Sequence, residues 1–242
     1  MNRWPSRIIA TLLTAVVVGQ SAQAQLTPDA VRKAIARGAD FLKRQQDRSD
    51  GSWPEAPFPA GGVSSLVMLA LLESGTPPDD PIIDRGLRYL RTIKPANTYV
   101  VSLQTMVYCL ARPDDDKGRI RENVHWLEES QIKQGGTAGM WGYGAQNMRG
   151  DNSNSQYALL GLREAAEIGE RVDPEVWRRA REHFLRIQNR DNGGWGYEIS
   201  SGSPTGSMTV AGVSSLIITG LRIHEGLEKL ENGVIKNCGQ WQ

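Results

Sequence analysis

The sequence predicts an all-α protein made of repeated helical hairpins, and three observations predict it. Amphipathic helices with one wet face alternate with helices that are apolar almost all round. Three segments open on the same helix-start signal, Thr27-Pro28-Asp29, Asp80-Pro81 and Asp173-Pro174-Glu175. Glycines gather beside a tryptophan three times, as Gly51-Ser52-Trp53, Gly139-Met140-Trp141-Gly142-Tyr143 and Gly193-Gly194-Trp195-Gly196-Tyr197.

The first residues stand apart from that pattern. Arg3 and Arg7 precede the apolar run Ile8 to Gly19, and Ser21-Ala22-Gln23-Ala24 ends in a small-residue cleavage site. Residues 1–24 therefore read as a secretory signal peptide, cut after Ala24. The run is too short for a resident bilayer span. The mature chain is expected outside the cytoplasm, periplasmic or secreted, with no membrane-spanning segment. The full chain's net charge of +1, with both signs interspersed, gives no sign of a nucleic-acid or anionic-membrane surface. Cys109 and Cys238 are too few for a disulfide framework, and whether they pair stays open.

Each helix start combines an oxygen that accepts from free backbone N–H groups with a proline whose missing N–H costs nothing. The helix after Thr27 carries Val31, Ala34, Ile35, Gly38, Phe41 and Leu42 on one stripe. Ile83, Gly86, Leu87, Leu90 and Ile93 repeat it after Asp80, and Val176, Trp177, Ala180, Phe184 and Ile187 after Asp173. A fourth, shorter stripe of Ile120, Val124 and Leu127 follows the acidic turn Pro113 to Asp116. Their opposite faces carry Arg, Lys and Glu, so these are outer helices. The second helices, Val63 to Leu72, Val100 to Ala111, Tyr157 to Ile168 and Val210 to Ile223, are apolar on most sides and belong inside. Gly62-Val63-Ser64-Ser65-Leu66 recurs as Gly212-Val213-Ser214-Ser215-Leu216, a sign of repetition. The four repeats run 26–75, 80–112, 118–169 and 173–226. A period of about 50 residues implies stacked helix pairs.

At an outer-helix end, glycine takes the positive φ that terminates the helix. The tryptophan then wedges between hairpins, and a glutamine one turn earlier bonds the free backbone groups. Gln46 with Trp53, Gln131 with Trp141 and Gln188 with Trp195 are the expected structural clasps. Arg37-Gly38…Phe41-Leu42…Gln46…Gly51-Ser52-Trp53 resembles, without a miss, the QW repeat of terpenoid cyclases. Arg179-Ala180…Phe184-Leu185…Gln188…Gly193-Gly194-Trp195 and Trp126-Leu127…Gln131…Gly139-Met140-Trp141 follow it with small shifts. The second hairpin has Arg85-Gly86…Tyr89-Leu90 but Lys94 where glutamine belongs, and no Gly-x-Trp. The chain thus resembles the squalene cyclase and protein prenyltransferase β-subunit superfamily. That resemblance implies an α/α toroid around an apolar cavity over residues 25–230, here an incomplete ring of about four hairpins, with 231–242 a truncated C-terminal tail.

The resemblance also implies where chemistry would lie, and those motifs are missing. Asp79-Asp80 and Asp114-Asp115-Asp116 sit in proline turns, where carboxylates are expected as caps rather than as a protonating acid. His125 and His183 fall at equivalent places in two repeats and read as packing residues, and no close His/Cys spacing fits zinc. No catalytic residue, metal ligand or cofactor is assigned. The polar run Asp151-Asn152-Ser153-Asn154-Ser155-Gln156 supplies a cap, Asp151 or Asn152, and carries more amide than one cap needs. Asn152, Asn154 and Gln156, with Trp141, Tyr143, Gln104 and Tyr108, are the candidate ligand-binding residues. The favoured reading is a non-catalytic exported module whose concave inner surface holds an apolar, isoprenoid- or lipid-like ligand or a partner protein, with a homo-oligomer closing the ring. The alternatives are a cyclase- or prenyltransferase-type enzyme with a divergent or missing motif, and a carbohydrate-active α/α barrel using Trp141, Tyr143, Trp195 and Tyr197 as sugar platforms.

Overall fold

Each outer helix begins on the local chemistry its sequence supplies. The computed structural model describes residues 27–146, 149–198, 203–225, 229–231 and 234–236, so the signal segment 1–24 and Cys238 lie outside the described residues. Helix α1 (Pro28–Arg44) is capped by Thr27, whose hydroxyl accepts from the N–H of Ala30 at 3.2 Å. Asp80 caps α3 (Pro81–Leu90) through the N–H of Ile82 at 2.9 Å, and Asp173 caps α7 (Pro174–Arg186) through that of Glu175 at 2.9 Å. Helix α5 (Lys117–Ser130) departs from the expectation. Asp116 stands at its cap position, yet the carboxylate turns away to accept from Arg91 Nε at 2.9 Å and Nη2 at 2.7 Å, and from Arg119 at 3.2 Å. A buried carboxylate gains more from two guanidiniums than from one backbone N–H.

The inner helices are α2 (Gly62–Glu73), α4 (Thr98–Ala111), α6 (Asn152–Glu167) and α8 (Gly206–Ile223). Helices α6 and α8 start about one turn ahead of the expected Tyr157 and Val210. Their polar first turns lack an apolar rhythm but are held by caps, Asp151 accepting from the N–H of Asn154 at 2.8 Å and Thr205 from that of Met208 at 3.2 Å. Asp151, not Asn152, is the cap.

The inner helices form a row in chain order, α2 against α4, α4 against α6 and α6 against α8. Helix α3 packs on both α2 and α4, α5 on both α4 and α6, α7 on α8, and α1 on α2. The protein is therefore all-α, a succession of helical hairpins with one shared core. Met68, Leu71, Leu87, Leu90, Val107, Tyr108, Leu127, Leu159, Leu162 and Phe184 fill that core together with Trp53, Trp141 and Trp195. Beyond the helices lies an antiparallel ribbon, β1 (Lys229–Glu231) with β2 (Val234–Lys236), its backbone register pairing Leu230 with Ile235. One described helix, α8, has the length and mean hydropathy (1.3) at which a segment can cross a bilayer. It packs on α6 and α7 with one face and leaves Val210, Val213, Ile217 and Leu221 exposed on another.

Two expectations need correction. The apolar stripe of α1 does not reach the core: no α1 residue is fully buried, and Val31, Ile35 and Phe41 are exposed, leaving Ala39 and Leu42 as its packing contacts. Amphipathicity tells which face wants a partner, not whether one is present. His125 and His183 are also not equivalent. His125 is exposed and His183 fully buried, because the repeats align Leu127 with Phe184 and so Trp126 with His183.

Candidate functional site

The glycine–tryptophan loops divide their work between two residues. Each indole N–H donates to a carbonyl of its own outer helix: Trp53 to Leu42 at 2.8 Å, Trp141 to Leu127 at 2.7 Å and Trp195 to Phe184 at 2.9 Å. Each tryptophan's backbone N–H donates to a hydroxyl of its own inner helix, Ser64 at 2.9 Å, Ser155 at 3.1 Å and Thr209 at 3.3 Å. The hydrogen bonds of the tryptophan thus close one hairpin rather than joining two. The glutamine does the joining. Gln46 donates to Gly51 O (3.0 Å) in its own loop and to Ile82 O (2.9 Å) on α3, and accepts from Arg85 Nε (3.0 Å). Gln131 repeats this with Gly139 O (3.4 Å), Val176 O (3.0 Å) and Arg179 Nε (2.8 Å) on α7. Gln188, among the described residues, keeps only the bond to its own loop, Gly193 O at 2.8 Å.

A second link runs through the Trp-Gly-Tyr backbone. Thr98, at the start of α4, donates its N–H to Tyr143 O (3.0 Å) and its hydroxyl to Gly142 O (2.5 Å). Asn152, at the start of α6, makes the same pair with Tyr197 O (3.0 Å) and, through Nδ2, Gly196 O (2.9 Å). Its Oδ1 is 3.1 Å from His183 Nε2, while His183 Nδ1 faces Arg186 at 3.3 Å. Burial and the neighbouring guanidinium hold the imidazole pKa down to about 3, so it is neutral, donating from Nε2 and accepting at Nδ1. Both ends of the Asn152 amide are thus engaged within the fold. Asn154 is also buried, donating to Asp151 Oδ2 at 2.7 Å with its own Oδ1 unpartnered among the described residues, and it lines neither of the cavities described below. Gln156 is half-buried and lines neither of the cavities described below.

The second hairpin has no tryptophan, and its structure shows what replaces it. Gln104 of α4 donates to Leu90 O at 3.4 Å, the carbonyl equivalent to those taken by the three indoles. An amide is smaller than an indole, and a cavity of about 530 Å³ opens there. Gln104 and Tyr108 line it with Lys94, Glu122, Asn123 and Trp126. Both candidate residues therefore face a cavity, but a polar one on the outer-helix side, and Gln104 is engaged as a substitute clasp. Burial, with Asp116 nearby, keeps the Tyr108 hydroxyl protonated far above its ordinary range.

The apolar cavity lies elsewhere, between the first turns of α2 and α4. It measures about 420 Å³ and is walled by Phe58, Val63, Leu66, Val100 and Leu103, with Tyr99 and Tyr143 at its edge. Tyr99 anchors an aromatic group, its ring 4.5 Å from Tyr157 and 6.0 Å from Tyr143 between centroids, with its hydroxyl bonded to Ser153. Tyr143 and Tyr197 meet hydroxyl to hydroxyl at 3.1 Å. That bond, then burial, raises the Tyr197 pKa, and burial raises that of Tyr99, so these two hydroxyls stay protonated. Of the candidate ligand residues only Tyr143 reaches this cavity. Trp141 and Trp195 are buried with no open ring face, which leaves the sugar-platform reading only Tyr143 and Tyr197. Phe58, Leu66, Tyr99 and Leu103 carry no local mark of a site in the sequence; the twofold Trp-Gly-Tyr motif is the available pointer to the tyrosines. A scan against protein-family models finds no match for this chain, and a search of the curated proteins finds none.

Proposed function

We propose that this chain is an exported, non-catalytic repeat module of the terpenoid-cyclase and prenyltransferase type, binding an isoprenoid- or lipid-like molecule in the tyrosine-edged cavity. The supporting observation is the lining: open, about 420 Å³, and built almost entirely from apolar surface, with Asn97, Tyr99 and Tyr143 as its polar-bearing residues. Ligand sites are typically concave, apolar and about 300–1,000 Å³, with a few polar groups fixing orientation. A chain with one hydroxyl head suits that arrangement: the hydrocarbon against Val63, Leu66, Val100 and Leu103, the head toward Asn97 and Tyr143. In this reading the four hairpins are an arc of an α/α toroid, and residues 1–24 direct export and are removed after Ala24.

Titration calorimetry with farnesol tests the binding. The wild-type chain should bind it, and L66D should weaken binding at least tenfold without lowering the melting temperature, because Leu66 is solvent-exposed at the cavity wall. A wild-type chain that takes up no farnesol, or an L66D chain that binds it equally well, would discard the assignment. N-terminal sequencing of protein recovered from outside the cytoplasm should begin at Gln25.

A further inference from the structure

Successive outer helices are joined by one recurring set of positions. Besides the Gln46–Arg85 and Gln131–Arg179 locks, the loop glycine sits directly on the next helix: a Cβ at Gly51 would lie 2.4 Å from Arg85 O, and one at Gly139 2.2 Å from Arg179 O. A residue near the end of each outer helix reaches the next cap, Lys43 to Asp80 at 3.2 Å, Arg91 to Asp116 at 2.7 Å, and Glu128 to the N–H of Asp173 at 2.7 Å.

Both halves of this joint stand unused at the two ends of the row. On α1, Arg37 occupies the place of Arg85 and Arg179 but is exposed and has no partner among the described residues. Phe41, at the place of buried His183, is 55% exposed. At the far end, among the described residues, Gln188 Oε1 receives no arginine, and a Cβ at Gly193 would meet only Gln188 Nε2, at 3.8 Å. Gly193 nonetheless keeps the positive φ (74°) of Gly51 and Gly139, so the seat is shaped like theirs, and no described residue fills it. Leu185, at the place of Lys43 and Glu128, is 51% exposed, and an uncharged residue there matches the uncharged cap Thr27. Helix α8 turns Val210, Val213, Ile217 and Leu221 outward, opposite the face it packs on α6 and α7.

We infer that copies of this chain associate head to tail, the Arg37 face of α1 on one copy entering the Gln188–Gly193 seat of another, so that the hairpin repeat continues across the junction. The occupant is a second copy because the complementary half, arginine, apolar residue and uncharged cap in register, is carried by the chain itself. Such a heterologous contact closes into a ring or runs on as a filament according to the rotation per copy.

Sedimentation velocity over a concentration series tests this. The weight-average mass of the wild-type chain should climb from one chain toward two or more. R37E should weaken association at least tenfold, and because Arg37 is exposed its melting curve should match wild type. Q188R should weaken association from the other side, and mixing R37E with Q188R should restore what neither shows alone, since matched halves are again present. If Q188R does not fold, R37E decides the question by itself. A wild-type chain that stays single at every concentration, an R37E chain that associates as wild type does, or a mixture of folded variants that stays single would overturn the inference.

Discussion

Replacing Gln131 by alanine should cost far more than the same change at Gln188, although both glutamines hold the same place in their repeats. Gln131 is buried and makes three bonds: to Gly139 O, to Val176 O and from Arg179 Nε. Taking about 1 kcal/mol for each neutral bond, less for the long one, and about 2 kcal/mol for the guanidinium bond, Q131A loses about 3–4 kcal/mol. Gln188 is half-buried and has the loop bond to Gly193 alone, so Q188A loses about 1 kcal/mol or less. Urea unfolding at dilute protein, followed by tryptophan fluorescence, reads the difference. With m of about 2–3 kcal/mol/M for a chain of this size, the midpoints should separate by about 1 M. Equal losses at the two sites would mean that the bonds between hairpins contribute nothing, and the division of labour between glutamine and tryptophan would fall with them.

The glycines offer a parallel contrast. G139A drives a Cβ onto Arg179 O and should destabilise by about 3 kcal/mol or more, whereas G193A meets open space and should cost only the left-handed backbone term of about 1–2 kcal/mol; matching melting curves would contradict this. His183 makes stability depend on pH. Its folded pKa, about 3, lies below its ordinary 6.5, so between those values the unfolded chain binds a proton that the folded chain does not. Stability is complete above 6.5 and falls as pH drops through that window, at about 1.4 kcal/mol per pH unit from this group. H183Q should remove that part of the slope in urea unfolding followed from pH 6.5 downward, and an unchanged slope would place the histidine in contact with solvent.

The parts of this fold readable in the sequence are those that chemistry decides within a few residues. Thr27, Asp80 and Asp173 cap because an oxygen ahead of a proline has one local use. Trp53, Trp141 and Trp195 are buried because a glycine-bounded indole beside a helix end has few other places to go. The failures lie where one residue type serves two long-range purposes. An amide-rich helix start reads the same whether it greets a ligand or, as Asn152 does, hooks the next loop and a buried histidine. Gln104 sits mid-helix with no local mark that it replaces an indole one repeat over. Tyr99 and Tyr157 look like ordinary helix residues until the row of hairpins brings them together across chain distance. Asp116 could be foreseen as a cap but not as the partner of Arg91, which comes from another hairpin.

The hollow beside Gln104 has a mechanical meaning for the whole array. Every other neighbouring pair of hairpins is stitched by a buried glutamine, but between the second and third the glutamine position is Lys94, the facing arginine position is Glu122, and both border void. Load or heat should therefore loosen the outer layer along this seam first, where Arg91 and Asp116 are the stitch between outer helices, while Thr98 and the α4–α6 packing hold the inner side.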